Sequence, residues 1–257
     1  MARTPAEAAR IALACLDLTS LNDADTEAQI ATLCERAAGP CGNAAAVCVW
    51  PRFARFARRR APAAVRVAAV ANFPDGSTDI ERALRDTGEI VQAGAQEVDL
   101  VLPWRALTGG DGASAAALLQ AVRRASEGLV LKVILETGEL REPALIRGAA
   151  RLALAEGADF LKTSTGKTPV SATPQAAQLM LGVIAGDARA KQRVGFKAAG
   201  GIRNVVDAAT YLDLAESALG SEALTPLRFR IGASALLEDI EAVLGGPARA
   251  TAGASGY

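Results

Sequence analysis

Two lysines stand five residues apart in the stretch ADFLKTSTGK, positions 158–167, the first as Lys162 and the second as Lys167. The pattern reads as a short strand that carries Lys162 to its end, followed by a small polar loop that carries Lys167. An amine at the mouth of a buried strand is costly to desolvate unless chemistry uses it. A third lysine, Lys197, ends the later apolar run VGFKA and leads into Gly200-Gly201. Two ammonium groups brought together in a partly dry site lower each other's pKa, and desolvation acts in the same direction. A lysine moved toward neutrality is a nucleophile that can form a Schiff base with a carbonyl. The competing reading of one interior lysine is a structural ion pair with Asp17 or Asp99. Two lysines together, followed by glycine loops, favour the imine, with the aspartates as acid/base groups acting directly or through water.

The chain of 257 residues contains no histidine. That removes the usual general base, the Ser-His-Asp triad and histidine-based metal sites, so no cofactor and no metal are expected. Phosphate binding needs backbone N–H groups and a cation. Three late loops offer them: Thr165-Gly166-Lys167, Gly200-Gly201-Ile202-Arg203 and Gly232-Ala233-Ser234. Gly166-Lys167-Thr168 is not a Walker loop, because Leu161 stands where that loop needs its first glycine.

These residues must be held by a frame, and the spacing of apolar runs describes one. Strands read at 11–19, 44–50, 65–72, 97–102, 130–137, 158–162, 194–198 and 229–234, with helical patterns between them. Their centres recur about every 31 residues, the length of a βα unit. Eight such units in one domain imply a (β/α)8 TIM barrel over 1–247, with 248–257 as a flexible tail. A doubly wound open sheet would want a glycine-rich turn after the first strand, where the chain has DLTSLND. In a barrel the strand-end candidates are Asp17, Cys48, Asn72, Asp99, Glu136, Lys162 and Lys197. Alternation puts Glu97, Asp99, Lys132 and Glu136 inward, and Val98, Leu100, Val133 and Leu135 toward the helices. Asn22-Asp23 and the pair Thr78/Glu81 read as helix caps, and Thr173-Pro174 opens another helix.

Composition limits the alternatives. Lysine plus arginine equals aspartate plus glutamate at 28 each, so no global field favours nucleic acid or an anionic membrane. Half of the chain is apolar but only 4% is aromatic, which calls for a core of Ala, Val, Leu and Ile. The four cysteines (Cys15, Cys34, Cys41, Cys48) form no C-x-x-C pair and read as free thiols of a cytoplasmic protein. The opening MARTPAEAARIALACL does not read as a signal peptide, and no stretch is long enough to span a bilayer. Arg52, Arg55, Arg58, Arg59 and Arg60 read as the solvated face of a helix in preference to a polyanion site.

With these residues assembled, LDLTSLN, EVDLVLP, ADFLKTSTGK, VGFKAAGGIR and FRIGAS, in that order, resemble the 2-deoxyribose-5-phosphate aldolase family over nearly the whole chain. The resemblance implies that Lys162 forms the Schiff base, that Lys197 perturbs its pKa, and that Asp99 handles protons with a bound water. It implies that Thr165, Gly166, Lys167, Gly200, Gly201, Arg203, Gly232 and Ser234 grip the substrate phosphate. It puts Asp17 and Thr19 near the sugar hydroxyls, makes Cys48 a site that aldehydes can alkylate, and makes the last residue, Tyr257, a proton-transfer group on a mobile tail. Two departures stand out: Ala198 where proline is common, and Ala235 where a second serine is common. The implied activity is metal-independent cleavage of 2-deoxy-D-ribose 5-phosphate to D-glyceraldehyde 3-phosphate and acetaldehyde, with a homodimer as the expected assembly. Another Schiff-base sugar-phosphate aldolase and a non-catalytic sugar-phosphate-binding barrel are the alternatives.

Overall fold

Each of the eight expected strands forms, and each is parallel to its neighbours. The computed structural model describes residues 3–245. We number the barrel strands β1 (Leu16–Thr19), β2 (Ala46–Val49), β3 (Arg66–Ala71), β4 (Glu97–Val101), β5 (Val130–Ile134), β6 (Phe160–Lys162), β7 (Gly195–Ala199) and β8 (Phe229–Ala233). They pair in chain order, and β8 closes on β1 in the register Leu16 to Ile231. Residues 246–257 lie outside the described region, so the expected tail and Tyr257 do too.

Period-two alternation builds two distinct environments. Outward residues such as Leu18, Val47, Val98, Leu100, Val133, Leu161, Phe196 and Ile231 join the helices in one continuous apolar layer. Many helix positions facing that layer are alanine, including Ala83, Ala115, Ala149, Ala153, Ala177 and Ala208. The inward residues divide again. Cys48, Ala68, Val70, Val101 and Ile134 form a small apolar cluster with Leu21 and Phe73, while Phe160 and a group of charged side chains occupy other inward positions.

Several local expectations change. The segment expected to start strand one at residue 11 is helical, Pro5–Ala14, and β1 begins only at Leu16. Thr4 and Glu7 make a capping box with Pro5 in the first turn, and Ala8, Ala9, Ala12 and Leu13 share a buried face. Four apolar residues at helical spacing outweigh the strand-like run. Asn22-Asp23 is not the cap of the next helix; Thr26 is, with Gln29 completing its box. Asp79, not Thr78, caps the helix Ile80–Gln92, since its carboxylate accepts the Arg82 N–H. β5 stops at Ile134, because Glu136 takes a left-handed backbone (φ 57°) that ends the ladder.

The arginine-rich helix Pro51–Arg60 lies on the surface and ties the helix layer together. Arg55 and Arg58 donate to the carbonyls of Gln92 and Gly94, just where the neighbouring helix ends. Arg52 donates to the Asp23 carbonyl and stacks over Trp50 and Phe53. All four cysteines are free thiols. Among the described residues, no helix is long and apolar enough to cross a membrane.

Gly195 shows how closely the lower interior is filled. A Cβ there would lie 2.2 Å from the ring of Phe160, which is buried and itself stacked 5.7 Å from the Arg230 guanidinium. Gly195→Ala should therefore destabilise the fold by about 1–3 kcal/mol. Urea unfolding followed by circular dichroism measures it; an unchanged midpoint would remove this packing constraint.

Candidate active site

Among the described residues, seven charged side chains pair with one another inside the barrel: Asp17, Glu97, Asp99, Lys132, Lys162, Lys197 and Arg230, none more than 3% exposed. Strand register brings them together. β6 and β7 place Lys162 directly beside Lys197, β4 and β5 place Asp99 beside Lys132, and β7 and β8 place Lys197 beside Arg230.

The contacts are layered. Lys132 Nζ reaches all three carboxylates, at 2.8 Å from Asp17, 2.6 Å from Glu97 and 2.9 Å from Asp99. Arg230 forks onto Glu97 at 2.7 Å and also holds Asp17. Lys197 Nζ donates to Asp99 Oδ2 at 2.7 Å and to Asp17. Among the described residues, Lys162 has a single carboxylate partner, Asp99 Oδ2, at 2.8 Å. Asp99 Oδ2 therefore serves two lysines, and the Cys48 thiol also points toward it at 3.9 Å.

Those layers separate the titrations. Burial alone would raise the Asp99 carboxyl, but Lys132, Lys162 and Lys197 outweigh it and hold it well below the usual range. Asp17 and Glu97 are lowered against burial too, Asp17 mainly by Arg230 and Glu97 mainly by Lys132. Burial would lower Lys132 and Lys197, yet their carboxylate partners raise both. Lys162 alone falls below the ordinary lysine value: burial lowers it, Asp99 only partly opposes, and Lys197 adds to the lowering. The mutual depression expected of the two lysines is thus one-sided, because Lys197 holds a second carboxylate that Lys162 lacks. Cys48 is raised by burial and then by Asp99, so it stays a thiol.

Above this layer opens a cleft of about 320 Å³, with Lys162 in its lining. Thr19, Thr165, Gly166, Lys167, Gly200, Gly201, Arg203, Gly232 and Ser234 all line it. Asp99 and Lys197 lie beneath it, behind Lys162. Asp17, which the resemblance puts near the sugar hydroxyls, does not line this cleft: it is fully buried and held by Lys132, Lys197 and Arg230. Ser20, Asn22, Ile202 and Ala235 line the cleft as well, and sequence reasoning did not name them as substrate contacts. They are loop residues whose backbone, not their type, puts them there.

Glycines shape the wall opposite Lys162. Gly166, Gly200 and Gly201 have φ of 80°, 85° and 82°, a region open to glycine without strain. A Cβ on Gly200 would meet the Ser171 side chain at 2.6 Å and Gly166 at 3.2 Å, so the loops after β6 and β7 touch through bare backbone. Behind that wall, the helix Leu236–Val243 starts at Ala235 with no side-chain cap, which leaves its first N–H groups toward the cleft. The Lys167 ammonium donates to the Leu21 carbonyl at 2.7 Å and bridges the loops after β6 and β1.

Two strand-end candidates have other duties. Buried Glu136 accepts the Thr165 N–H at 3.3 Å and the Thr165 and Thr168 hydroxyls, pinning the loop that carries Gly166 and Lys167. Burial raises its carboxyl, and those hydrogen bonds oppose the rise. Asn72 donates to the carbonyls of Ser77 and Val101 and staples the loop after β3. Among the described residues, no cluster of His, Cys, Asp and Glu has a geometry that could hold a metal ion.

Residues 11–241 match the family described as DeoC/LacD family aldolase. The chain is 48% identical over 258 aligned residues to the deoxyribose-phosphate aldolase of Agrobacterium fabrum, covering 98% of this chain and 97% of that one. Its fold matches an apo structure from Toxoplasma gondii ME49, named for the same activity, with a TM-score of 0.86 and 26% identity over 94% of this chain and 97% of that one. It also matches the tetrameric deoxyribose phosphate aldolase of Aeropyrum pernix, with a TM-score of 0.69 and 23% identity over 93% and 92% of the two chains.

The buried carboxylates make stability acid-sensitive. Asp17, Glu97 and Asp99 are all lowered in the fold, so the stability they contribute is complete above their unfolded values near pH 4. It is lost as pH falls through about 4 toward the folded values. Glu136, which is raised, acts with the opposite sign and is a single group. Thermal melts should show a plateau above about pH 5 and a steep fall below about pH 4. A melting temperature that stays level from pH 6 to pH 3 would contradict the charge assignments.

Proposed function

The chain belongs to the DeoC/LacD family of aldolases, and from that we propose that it is a Schiff-base deoxyribose-phosphate aldolase. It cleaves 2-deoxy-D-ribose 5-phosphate reversibly to D-glyceraldehyde 3-phosphate and acetaldehyde. The observation that carries the reading is Lys162: among the seven interior charged groups it alone lines the cleft, and its ammonium alone is lowered.

The chemistry follows from the geometry. The neutral Lys162 amine attacks the aldehyde carbon of the open-chain sugar, and loss of water gives an iminium. The positive charge returns beside Asp99 Oδ2, 2.8 Å from the nitrogen, so the carboxylate stabilises charge where it develops. Removal of the C3 hydroxyl proton breaks the C2–C3 bond, and the bonding pair moves into the iminium to form an enamine. Glyceraldehyde phosphate leaves, the enamine is protonated at its terminal carbon, and hydrolysis releases acetaldehyde and regenerates Lys162. Asp99, Lys197 and water together move the C3 hydroxyl proton. Lys197, shared between Asp99 and Asp17, keeps the carboxylate ionised and aimed. Tyr257, outside the described residues, is assigned the enamine protonation in this reading.

The phosphate occupies the glycine wall. Backbone N–H groups near Gly201 and Ser234, the open start of the helix Leu236–Val243, and the Lys167 ammonium suit a dianion. Thr19 and Asn22 face the same cleft near the sugar hydroxyls. Ala235 offers only its backbone where a second serine is common, which leaves the helix N–H groups to do more of the holding. We place the enzyme in the cytoplasm. We carry a homodimer as the assembly; light scattering of the purified chain checks it, and a tetramer like the Aeropyrum protein would replace it.

Two substitutions separate chemistry from binding. Lys162→Ala should abolish cleavage and the two-carbon adduct that borohydride fixes on the protein in the presence of acetaldehyde. Lys167→Ala should leave that adduct intact and raise KM for the phosphorylated sugar about 10- to 100-fold, the range of a lost charged hydrogen bond. An adduct only on other residues, read by peptide mass spectrometry, or an active Lys162→Ala enzyme would sink the mechanism.

A further inference from the structure

Among the described residues, the ion-paired network inside the barrel joins four cations to three carboxylates, and its charges do not balance. Lys132 touches three carboxylates, Lys197 two and Arg230 two, whereas Lys162 touches one. A surplus positive charge in an interior closed to water is expensive. It is relieved when one cation gives up its proton. Arg230 cannot, because a guanidinium keeps its charge in proteins. Lys132 and Lys197 are pinned by several carboxylates each. Lys162 has the fewest partners and the only route to the cleft.

We propose that Arg230 and Glu97, buried below the cleft and touching no part of it, are positioning residues that set this charge count and so select Lys162 as the amine that is free. The proposal rests on the reading of Lys162 as the imine-forming lysine and adds what makes it so. Arg230 forks onto Glu97 and holds Asp17 from below, which leaves less carboxylate charge for the lysines above. If the guanidinium is removed, three carboxylates face three lysines and Lys162 keeps its proton. If the Glu97 charge is removed, the surplus grows and Lys162 loses its proton more readily.

The groups facing Lys162 are few. Asp99 comes from β4, Lys197 from β7, Cys48 from β2 and Glu136 from the turn after β5, with Asp17 and Lys132 behind them. Cys48 is held neutral by burial, so it adds no charge. Arg66 reaches Glu97 at 3.3 Å from the rim, but its side chain is 41% exposed and water screens it. Glu136 touches none of the four cations, because its oxygens accept from Thr165 and Thr168. The count of ion-paired groups therefore rests on the seven that touch one another.

The test is competitive labelling of lysines with acetic anhydride across pH 6–11, with modification of the Lys162 peptide read by mass spectrometry. Relative to the parent midpoint, Arg230→Met should raise the Lys162 midpoint by about one pH unit, and Glu97→Gln should lower it by about as much. Arg230→Lys, which keeps the charge and loses the fork, should return to the parent midpoint. The double variant Glu97→Gln/Arg230→Met, which restores the surplus of one, should do the same. Should Arg230→Met fail to fold, Glu97→Gln and the double variant still decide. Midpoints that all coincide with the parent, or single variants that shift the same way, overturn the proposal. Acetaldehyde trapping with borohydride runs in parallel. An adduct away from Lys162 would defeat the aldolase reading while leaving the labelling midpoints to judge the charge count.

Discussion

One carboxylate oxygen organises the site. Asp99 Oδ2 accepts two lysines at hydrogen-bond distance, in an interior with no exposed surface of its own. A buried carboxylate is tolerable only when its charge is matched and its lone pairs are used. Asp99 meets that condition by drawing Lys132, Lys162 and Lys197 inward from β5, β6 and β7. Their surplus charge demands Asp17 from β1 and Glu97 below on β4, and those in turn draw Arg230 from β8. Six of the eight strands thus contribute inward residues to a single closed ionic network. The usual apolar filling of a barrel interior survives in the patch around Cys48, Val70 and Ile134 and at Phe160.

The network sits on a wholly apolar exterior. Outward strand residues and alanine-rich helix faces form one continuous layer, and alanine lets helices approach the barrel closely. That rigidity serves the site. A 2.8 Å contact between Lys162 and Asp99 is useful only if the strands bearing them cannot drift. Adjacent registers of β6 and β7 fix the distance between the two lysines through backbone pairing, not through their own flexible stems.

The cleft divides its labour. Its floor is a lysine whose proton is loosened, and its wall is bare backbone. Glycines at 166 and 200 bring the loops after β6 and β7 into direct backbone contact. Glu136 stands where sequence alternation would place a barrel-facing strand-end carboxylate. A left-handed turn redirects it to bind Thr165 and Thr168, so it shapes the wall. The same carboxylate chemistry does electrostatics at Asp99 and loop architecture at Glu136.

Much of this was legible in the sequence. Repeating apolar runs about a βα unit apart declared the barrel, because parallel strands covered by helices need that alternation. Residue type singled out Lys162, Lys197 and Asp99, though only Lys162 ends its strand while Asp99 and Lys197 sit at the middle of theirs, and position after strands singled out the glycine loops. The leading helix Pro5–Ala14 was misread because its alanines and its Ile-Ala-Leu run fit both periods, and only docking against the helices Val205–Leu219 and Leu236–Val243 arbitrates. What the sequence by itself determined was the inventory: which groups point inward and which loops lack side chains. Only the tertiary structure decided which lysine is free. That depends on how many carboxylates each amine touches, and those contacts span residues up to 180 apart in the chain, joined only when the barrel closes.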